Sequence, residues 1–159
     1  MWVLVNDQAV QAIKEYGLNL MGGLHAVEHA AIGLLPLFAM CDRNDLGGLS
    51  TVFHPQTEGP TIFIHDTCNG GVGFSEKGYD EAVSLFGATL DAISSCACEA
   101  GCPSCIYSPK CSNYNRPLDK EAAVCLLHML IGKTYTPPSS AGEQKQKREH
   151  LKRVLRSLR

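Results

Sequence analysis

The segment Cys96-Ala97-Cys98-Glu99-Ala100-Gly101-Cys102-Pro103-Ser104-Cys105 contains four cysteines, and a fifth, Cys111, follows six residues later. Zinc binds four ligands in a tetrahedron, so a short loop can supply all four only if its backbone turns sharply. Gly101 permits such a turn because it has no Cβ atom, and Pro103 fixes one backbone angle between the last two cysteines of the segment. The spacing therefore predicts a structural zinc site.

Five cysteines compete for four ligand positions at this predicted site. We predict that Zn²⁺ is held by Cys96, Cys98, Cys102 and Cys105, with Cys111 as the alternative ligand. Two other interpretations are that the cysteines pack as small hydrophobic side chains, or that Cys102 and Cys105 form the dithiol of an oxidoreductase. A redox dithiol normally follows a strand and opens a helix, whereas this one follows a predicted helix and is crowded by further cysteines. Structural zinc is therefore the favoured interpretation.

The composition is that of one soluble domain. The chain has 159 residues, of which 45% are hydrophobic and 19% charged, and its formal net charge is −2. Residues 1–7 lack the basic region of a secretory signal, and no apolar run reaches the ~18 residues of a membrane span. We therefore expect a cytoplasmic protein without a membrane partner, in a reducing compartment where clustered cysteines more often bind metal than form disulfides.

The charge is divided unevenly along the chain. Residues 143–159 contain seven basic and two acidic residues, a net charge of +5, so residues 1–142 carry −7. The Pro- and Ser-rich residues 136–142 predict a linker. We therefore predict a zinc-binding domain over 1–135, this linker, and a basic tail over 143–159 that is helical or disordered. Phosphate contacts would come from basic side chains in the tail and beside the zinc loop; the candidates for nucleic-acid binding are Lys110, Arg116, Lys145, Lys147, Arg148, Lys152 and Arg153.

The hydrophobic pattern predicts an α+β fold. Short β-type runs over 1–5, 49–53 and 61–65 predict a small antiparallel sheet. Apolar residues at helical spacing predict about three main helices packed on this sheet, with the cysteine-rich zinc loop between the second and the third. These helices cover residues 24–40, with a kink at Pro36, residues 79–95, and residues 118–131; a further helix is predicted over 7–20.

Residues 25–29, His-Ala-Val-Glu-His, match the pattern H-x-x-E-H. On a helix, His25 and His29 lie one turn apart, so both can reach one metal ion, and Glu28 could act as the general base of a zinc metallopeptidase. A third ligand would then come from Glu76 or Glu81. The surrounding helix is strongly apolar, which favours a buried helix whose polar side chains are hydrogen-bonded. A second metal or ligand site is the third alternative.

Nucleotide-binding motifs are absent from the sequence. Residues 70–73 form a glycine-rich loop, but neither G-x-x-x-x-G-K-[ST] nor G-x-G-x-x-G occurs. We therefore predict that this chain hydrolyses no nucleotide and has no catalytic residues.

Three blocks of sequence together resemble one protein family. The first block comprises residues 23–30 and 41–48, the second residues 60–66 and 70–76, and the third residues 96–106, 108–111 and 117–120. These blocks are similar to the C-terminal zinc-binding domain of mitomycin repair factor A-type DEAD/DEAH-box helicases, which belong to superfamily 2. The resemblance covers about residues 20–132, and it implies that zinc is bound by Cys96, Cys98, Cys102 and Cys105.

The resemblance also implies a function. In that family the zinc domain follows two RecA-like motor domains and helps a 3′-to-5′ DNA helicase to act in repair. The present sequence lacks the motor motifs. We therefore expect a non-catalytic, helicase-associated zinc-binding domain that supports DNA binding or unwinding in DNA repair. Its partners would be DNA and helicase motor domains, in cis as in the relatives or in trans here.

Overall fold

The computed structural model describes residues 1–137. The described residues form an α+β domain, which confirms the predicted fold class. The predicted tail over 143–159 and residues 138–142 of the predicted linker lie outside the described part. The elements in chain order are β1 (Trp2–Leu4), α1 (Asp7–Glu15), α2 (Leu20–Leu34), α3 (Pro36–Ala39), a 3-10 turn (Arg43–Asp45), β2 (Leu46–His54), β3 (Gly59–Asp66), α4 (Phe74–Asp80), α5 (Ala82–Ser95) and α6 (Lys120–Leu130).

The three strands form the small antiparallel sheet that was predicted, and their order is β1-β3-β2. Side chains alternate between the two faces of a sheet. Ile62 and Ile64 of β3 point inward and are almost fully buried. On the outer face, Trp2 and Leu49 flank Phe63 in register and are 65% and 56% exposed. One face of the sheet therefore packs on the core, and the other presents apolar side chains to solvent.

Helix α2 is the centre of the core. Its residues 22–32 are buried on every side, and the helix packs against α5, α6, β2 and β3. By length and composition alone the stretch Leu20–Ala39 could cross a membrane, but 61% of its apolar window is buried inside the domain. Burial of this kind is typical of the core helix of a folded domain.

Small residues let α2 and α6 approach closely. A Cβ atom on Gly23 would lie 2.7 Å from the Cβ atom of Ala122. Asp119 joins the starts of the two helices, because its carboxylate accepts the backbone N–H groups of Ala122 and Asn19, each at 2.9 Å. Residues 96–119 connect α5 to α6 and are called the cysteine loop. The end of this loop is therefore fixed beside the start of α2.

Several helix boundaries differ from the sequence prediction; for example, α2 begins at Leu20 and not at residue 24. The helix predicted over 7–20 ends at Glu15, because Gly17 adopts a φ of +69°. Pro36 does not kink a continuous helix but begins the separate helix α3, where its missing N–H group costs no hydrogen bond. The helix predicted over 79–95 is divided at Glu81, and its first part, α4, starts earlier, at Phe74.

Candidate metal centres

The structure brings the four predicted ligands Cys96, Cys98, Cys102 and Cys105 into one cluster. The Sγ atom of Cys96 lies 3.5 Å from those of Cys98 and Cys102, and the Sγ atom of Cys105 lies 3.5 Å from that of Cys98 and 3.7 Å from that of Cys102. A tetrahedron with zinc–sulfur distances of about 2.3 Å has edges of ~3.8 Å. The spacing of the sulfur atoms therefore fits a zinc ion.

The loop that carries these cysteines depends on Gly101 and Ile106. Gly101 has a φ of +113°, and a Cβ atom there would lie 2.5 Å from the Cδ1 atom of Ile106. The carbonyl of Cys102 accepts the N–H groups of Cys105, Ile106 and Tyr107 at 3.1–3.2 Å, which closes the turn between the last two ligands. Ile106 is fully buried and fastens this turn to the core.

Lys120, the first residue of α6, supplies positive charge to the cluster. Its Nζ atom donates to the carbonyls of Cys96 and Cys98 at 2.6 and 2.7 Å, and lies 3.5 Å from the Sγ atom of Cys98. Four thiolates around Zn²⁺ carry a net charge of −2, which the ammonium group offsets in part. The sequence offered no signal for this role, because it depends on how α6 packs beside the loop.

The thiols of the cluster differ in acidity. Burial raises the pKa of Cys98, but hydrogen bonds from the thiols of Cys105, Cys96 and Cys102 outweigh it and lower the pKa to about 7. Burial raises the pKa of Cys105 to about 12, and donation of its proton to neighbouring sulfur atoms adds to this rise. Because a metal ligand must be a thiolate, an incoming ion displaces protons from the group.

The alternative ligand, Cys111, lies in a different cluster. Its Sγ atom is 3.4 Å from the Nε2 atom of His25, and the ligand atoms of His25, His29 and Cys111 all lie within 4.8 Å of one another. The third residue beside the two imidazoles is thus a cysteine and not the expected Glu76 or Glu81.

The polar side chains of the H-x-x-E-H segment are buried and hydrogen-bonded. His25 and His29 are 4% and 6% exposed, and their Nδ1 atoms lie 2.9 Å from the carbonyl oxygens of Pro117 and Ile106. Burial lowers the pKa of His29 to about 4, so its imidazole is neutral. Burial also raises the pKa of Glu28, whose carboxyl group bonds to Ser50. The predicted network of buried polar groups is therefore present.

Two of the candidate nucleic-acid-binding residues, Lys110 and Arg116, lie in the described part of the chain. Nζ of Lys110 donates to the carbonyls of Arg43 and Leu46 at 3.2 and 3.0 Å, so this side chain ties the cysteine loop to the start of β2. Arg116 is exposed in the same loop as Tyr107 and Tyr114, which are 37% and 87% exposed. The remaining candidates, Lys145, Lys147, Arg148, Lys152 and Arg153, lie outside the described residues.

The fold and the cysteine cluster define a small zinc-binding α+β domain. Residues 27–106 match the family model described as the MrfA Zn-binding domain. The uncharacterized protein MJ1572.1 of Methanocaldococcus jannaschii is 37% identical over 114 residues, which cover 68% of this chain and 99% of that protein. The chain belongs to the MrfA Zn-binding domain family, and zinc is its cofactor.

Other relatives are much longer helicases. The uncharacterized ATP-dependent helicase YprA of Bacillus subtilis is 36% identical over 87 residues, which cover 55% of this chain and 11% of that protein. A crystal structure of the DUF1998 helicase MrfA bound to DNA matches with a TM-score of 0.56 and 26% identity, covering 81% of this chain and 16% of that one. The chain therefore corresponds to the zinc-binding domain of MrfA-like helicases, an accessory part of those proteins.

Proposed function

We propose that this chain is a non-catalytic accessory unit of a superfamily 2 DNA helicase and that it supports DNA binding or unwinding in DNA repair. The observation that carries this proposal is the four-cysteine cluster, found in a chain of the MrfA Zn-binding domain family. The solved relative of the same fold was crystallised with DNA, which supports action on DNA.

In this proposal the zinc ligands are Cys96, Cys98, Cys102 and Cys105. Four thiolates complete a tetrahedron and leave no position open for substrate, so the ion has a structural role. It fastens the loop between the end of α5 at Ser95 and the start of α6 at Lys120. The domain over 1–135 would fold around this zinc site, and the linker over 136–142 and the basic tail would follow it.

The partner in this proposal is a helicase motor. In YprA and MrfA the matching segment is a small part of a long helicase chain, which supports an arrangement in cis. Nearly the whole of the archaeal relative aligns with this chain, so the family includes a member of about the domain's own size. That relative supports an arrangement in trans. The outer face of the sheet, with Trp2 and Leu49 exposed, offers an apolar surface to a protein partner.

DNA contacts in this proposal come from the basic tail and from the exposed part of the cysteine loop. Arg116 can bind phosphate, and Tyr107 and Tyr114 can stack on unpaired bases. The acidic balance of residues 1–142 confines contacts in the body of the domain to such a local patch. We propose a cytoplasmic location, which action on DNA in a reducing compartment supports.

Salt-dependent binding to single-stranded DNA tests the DNA contacts. Fluorescence anisotropy with a labelled oligonucleotide should show an affinity that falls steeply as salt rises, because phosphate contacts release counterions. Deletion of residues 143–159 should weaken binding and flatten this salt dependence, and Arg116→Ala should weaken it further. Lys14→Ala, which removes an exposed cation from α1, is the control for loss of one positive charge. Unchanged affinity after the deletion would show that the tail is not the DNA-binding element.

A graft into a helicase tests the accessory role. Residues 20–132 of this chain replace the aligned segment of YprA, and ATP-dependent unwinding of a DNA duplex is measured. The graft should unwind faster than YprA without that segment. The same graft with Cys98→Ser and Cys105→Ser is the matched control and should lose this gain, because the four-cysteine zinc site cannot form. Equal unwinding by the two grafts would contradict the proposal.

A further inference from the structure

A second group of metal-ligating side chains lies apart from the four-cysteine cluster. His25 and His29 stand one turn apart on α2, with ring centroids 4.2 Å apart, and Cys111 reaches them from a loop 86 residues beyond His25. Their ligand atoms all lie within 4.8 Å of one another. Two imidazoles and one thiol thus converge from two separate parts of the chain.

The two imidazoles are held in the tautomer that a metal ion requires. The carbonyl oxygens of Pro117 and Ile106 can only accept hydrogen bonds, so the Nδ1 atoms of His25 and His29 carry the protons. In the neutral imidazole of this tautomer the lone pair lies on Nε2, and the Nε2 atom of His25 faces the sulfur of Cys111. Donation of the second ring nitrogen to a carbonyl is the usual way in which proteins orient a ligating histidine.

Cys111 is also held in place. The backbone N–H group of Asn115 donates to its Sγ atom at 3.3 Å, which fixes the position of the sulfur. The side chain of Asn115 closes the loop by bonding to the N–H and C=O groups of Ser108 at 2.7 and 3.1 Å. The loop therefore presents the sulfur in a fixed position, as a preorganised site requires.

A pocket gives access to this group. The three side chains line a cavity of about 310 Å³, together with Glu28, Ser50 and other residues of α2, β2 and the cysteine loop. Imidazole and thiolate ligands together suit zinc, and zinc with three protein ligands keeps a fourth position for water or another small ligand. We propose that His25, His29 and Cys111 form a second zinc site, with its fourth position open to this pocket.

The second site would act on the same loop as the first. The carbonyls that orient the two histidines belong to Ile106 and Pro117, and Cys111 lies between these residues. An ion bound here would join the loop to α2, whereas the ligands of the four-cysteine site all lie within the loop itself. The proposal does not depend on the accessory role in a helicase, because it concerns ligands that the four-cysteine cluster does not use.

Metal content tests the proposal. The full chain is loaded with zinc, freed of loosely bound ions, and analysed by elemental mass spectrometry. Wild type should hold a second equivalent of zinc, which Cys111→Ser should lose while keeping the first. Cys68→Ser removes an exposed cysteine outside both clusters and is the matched control, so it should keep both equivalents. Equal zinc content in wild type and in a folded Cys111→Ser variant would overturn the proposal.

Anomalous diffraction at the zinc absorption edge tests wild type directly and does not depend on a variant that folds. Crystals of the loaded chain should show one peak at the four sulfur atoms and another between His25, His29 and Cys111. A peak at the four cysteines alone would overturn the second site and leave the first intact. A peak at the histidines alone would support the second site and contradict the four-cysteine ligands, so the two claims fail separately.

Discussion

At the scale of the residue, the ammonium group of Lys120 bonds to three atoms of the four-cysteine cluster. Lys120→Met keeps a side chain of similar length but removes the charge and the hydrogen bonds. Because loss of a partner of this kind usually lowers metal affinity, we expect zinc to bind about 10–100-fold more weakly. Competition with a chromophoric chelator measures the change.

Lys77→Met is the control for this prediction. Lys77 forms an exposed ion pair with Glu81 at 3.0 Å and bonds to no ligand of either cluster, so its loss should leave zinc affinity unchanged. If Lys120→Met holds zinc as tightly as wild type, the lysine does not compensate the charge of the thiolates.

Asp66 connects the end of β3 to the start of α4. Its carboxylate accepts the N–H groups of Val72, Gly73, Phe74 and Ser75 at 2.7–3.1 Å. Burial acts to raise the pKa of Asp66, but these hydrogen bonds outweigh it and hold the pKa well below its usual range. Asp66→Asn puts an amide N–H₂ group against backbone donors, so the free energy of unfolding should fall by about 1–3 kcal/mol.

The pH dependence of this loss follows from the direction of the pKa shift. A carboxylate with a lowered pKa stabilises the fold at every pH above its unfolded value of about 3.9, and the contribution disappears only as pH falls through the lower folded value. Urea unfolding of wild type and Asp66→Asn should therefore differ by the same amount at about pH 8 and pH 6. Asp80→Asn, at an exposed position on α4, should have little effect at either pH. A difference that shrinks over this range would contradict the assignment.

At the scale of the element, the contact between α2 and α6 leaves no space for a side chain at Gly23. A Cβ atom there would meet both the side chain and the backbone of Ala122, at 2.7 and 3.0 Å. Overpacking of this kind costs about 1–3 kcal/mol, which exceeds the roughly 0.5–1 kcal/mol that alanine gains over glycine inside a helix. Gly23→Ala should therefore lower the melting temperature, as measured by circular dichroism.

Gly87 provides the matched substitution. It lies within α5, and a Cβ atom there would meet no atom within 4 Å. Gly87→Ala should therefore stabilise the domain by roughly 0.5–1 kcal/mol through helix propensity alone. Opposite signs at the two positions are expected, and stabilisation by Gly23→Ala would show that α2 and α6 are less tightly packed than the structure indicates.

Local sequence patterns predicted the elements better than their ends. The alternating residues of β2 and β3 and the apolar spacing of α5 and α6 identify strands and helices, because these signals lie within a few consecutive residues. The end of α1 depends on the positive φ of Gly17, and the division between α4 and α5 depends on the backbone angles of Glu81. Both are set by how the chain packs, which local patterns do not record.

At the scale of the whole molecule, the two metal clusters differ in how far the sequence predicts them. The four cysteines lie within one short segment, so their spacing predicted a four-cysteine cluster but left Cys111 open as an alternative ligand. Cys111 belongs to the same run in sequence, yet folding places it against His25, 86 residues away. Only the packing of the cysteine loop on α2 separates these two groups of ligands.

Zinc bound at both clusters should stabilise the folded domain, so the free energy of unfolding should depend on the zinc concentration. An ion that binds the folded chain but not the unfolded one adds about 1.4 kcal/mol to the free energy of unfolding for each tenfold rise in free ion above its dissociation constant. With both sites occupied, the slope in zinc-buffered urea unfolding should be ~2.8 kcal/mol per tenfold rise. Cys111→Ser should lower this slope to ~1.4 kcal/mol, while Cys68→Ser should leave it at the wild-type value. A wild-type slope of ~1.4 kcal/mol that Cys111→Ser does not change would mean that the four-cysteine site alone couples zinc to folding.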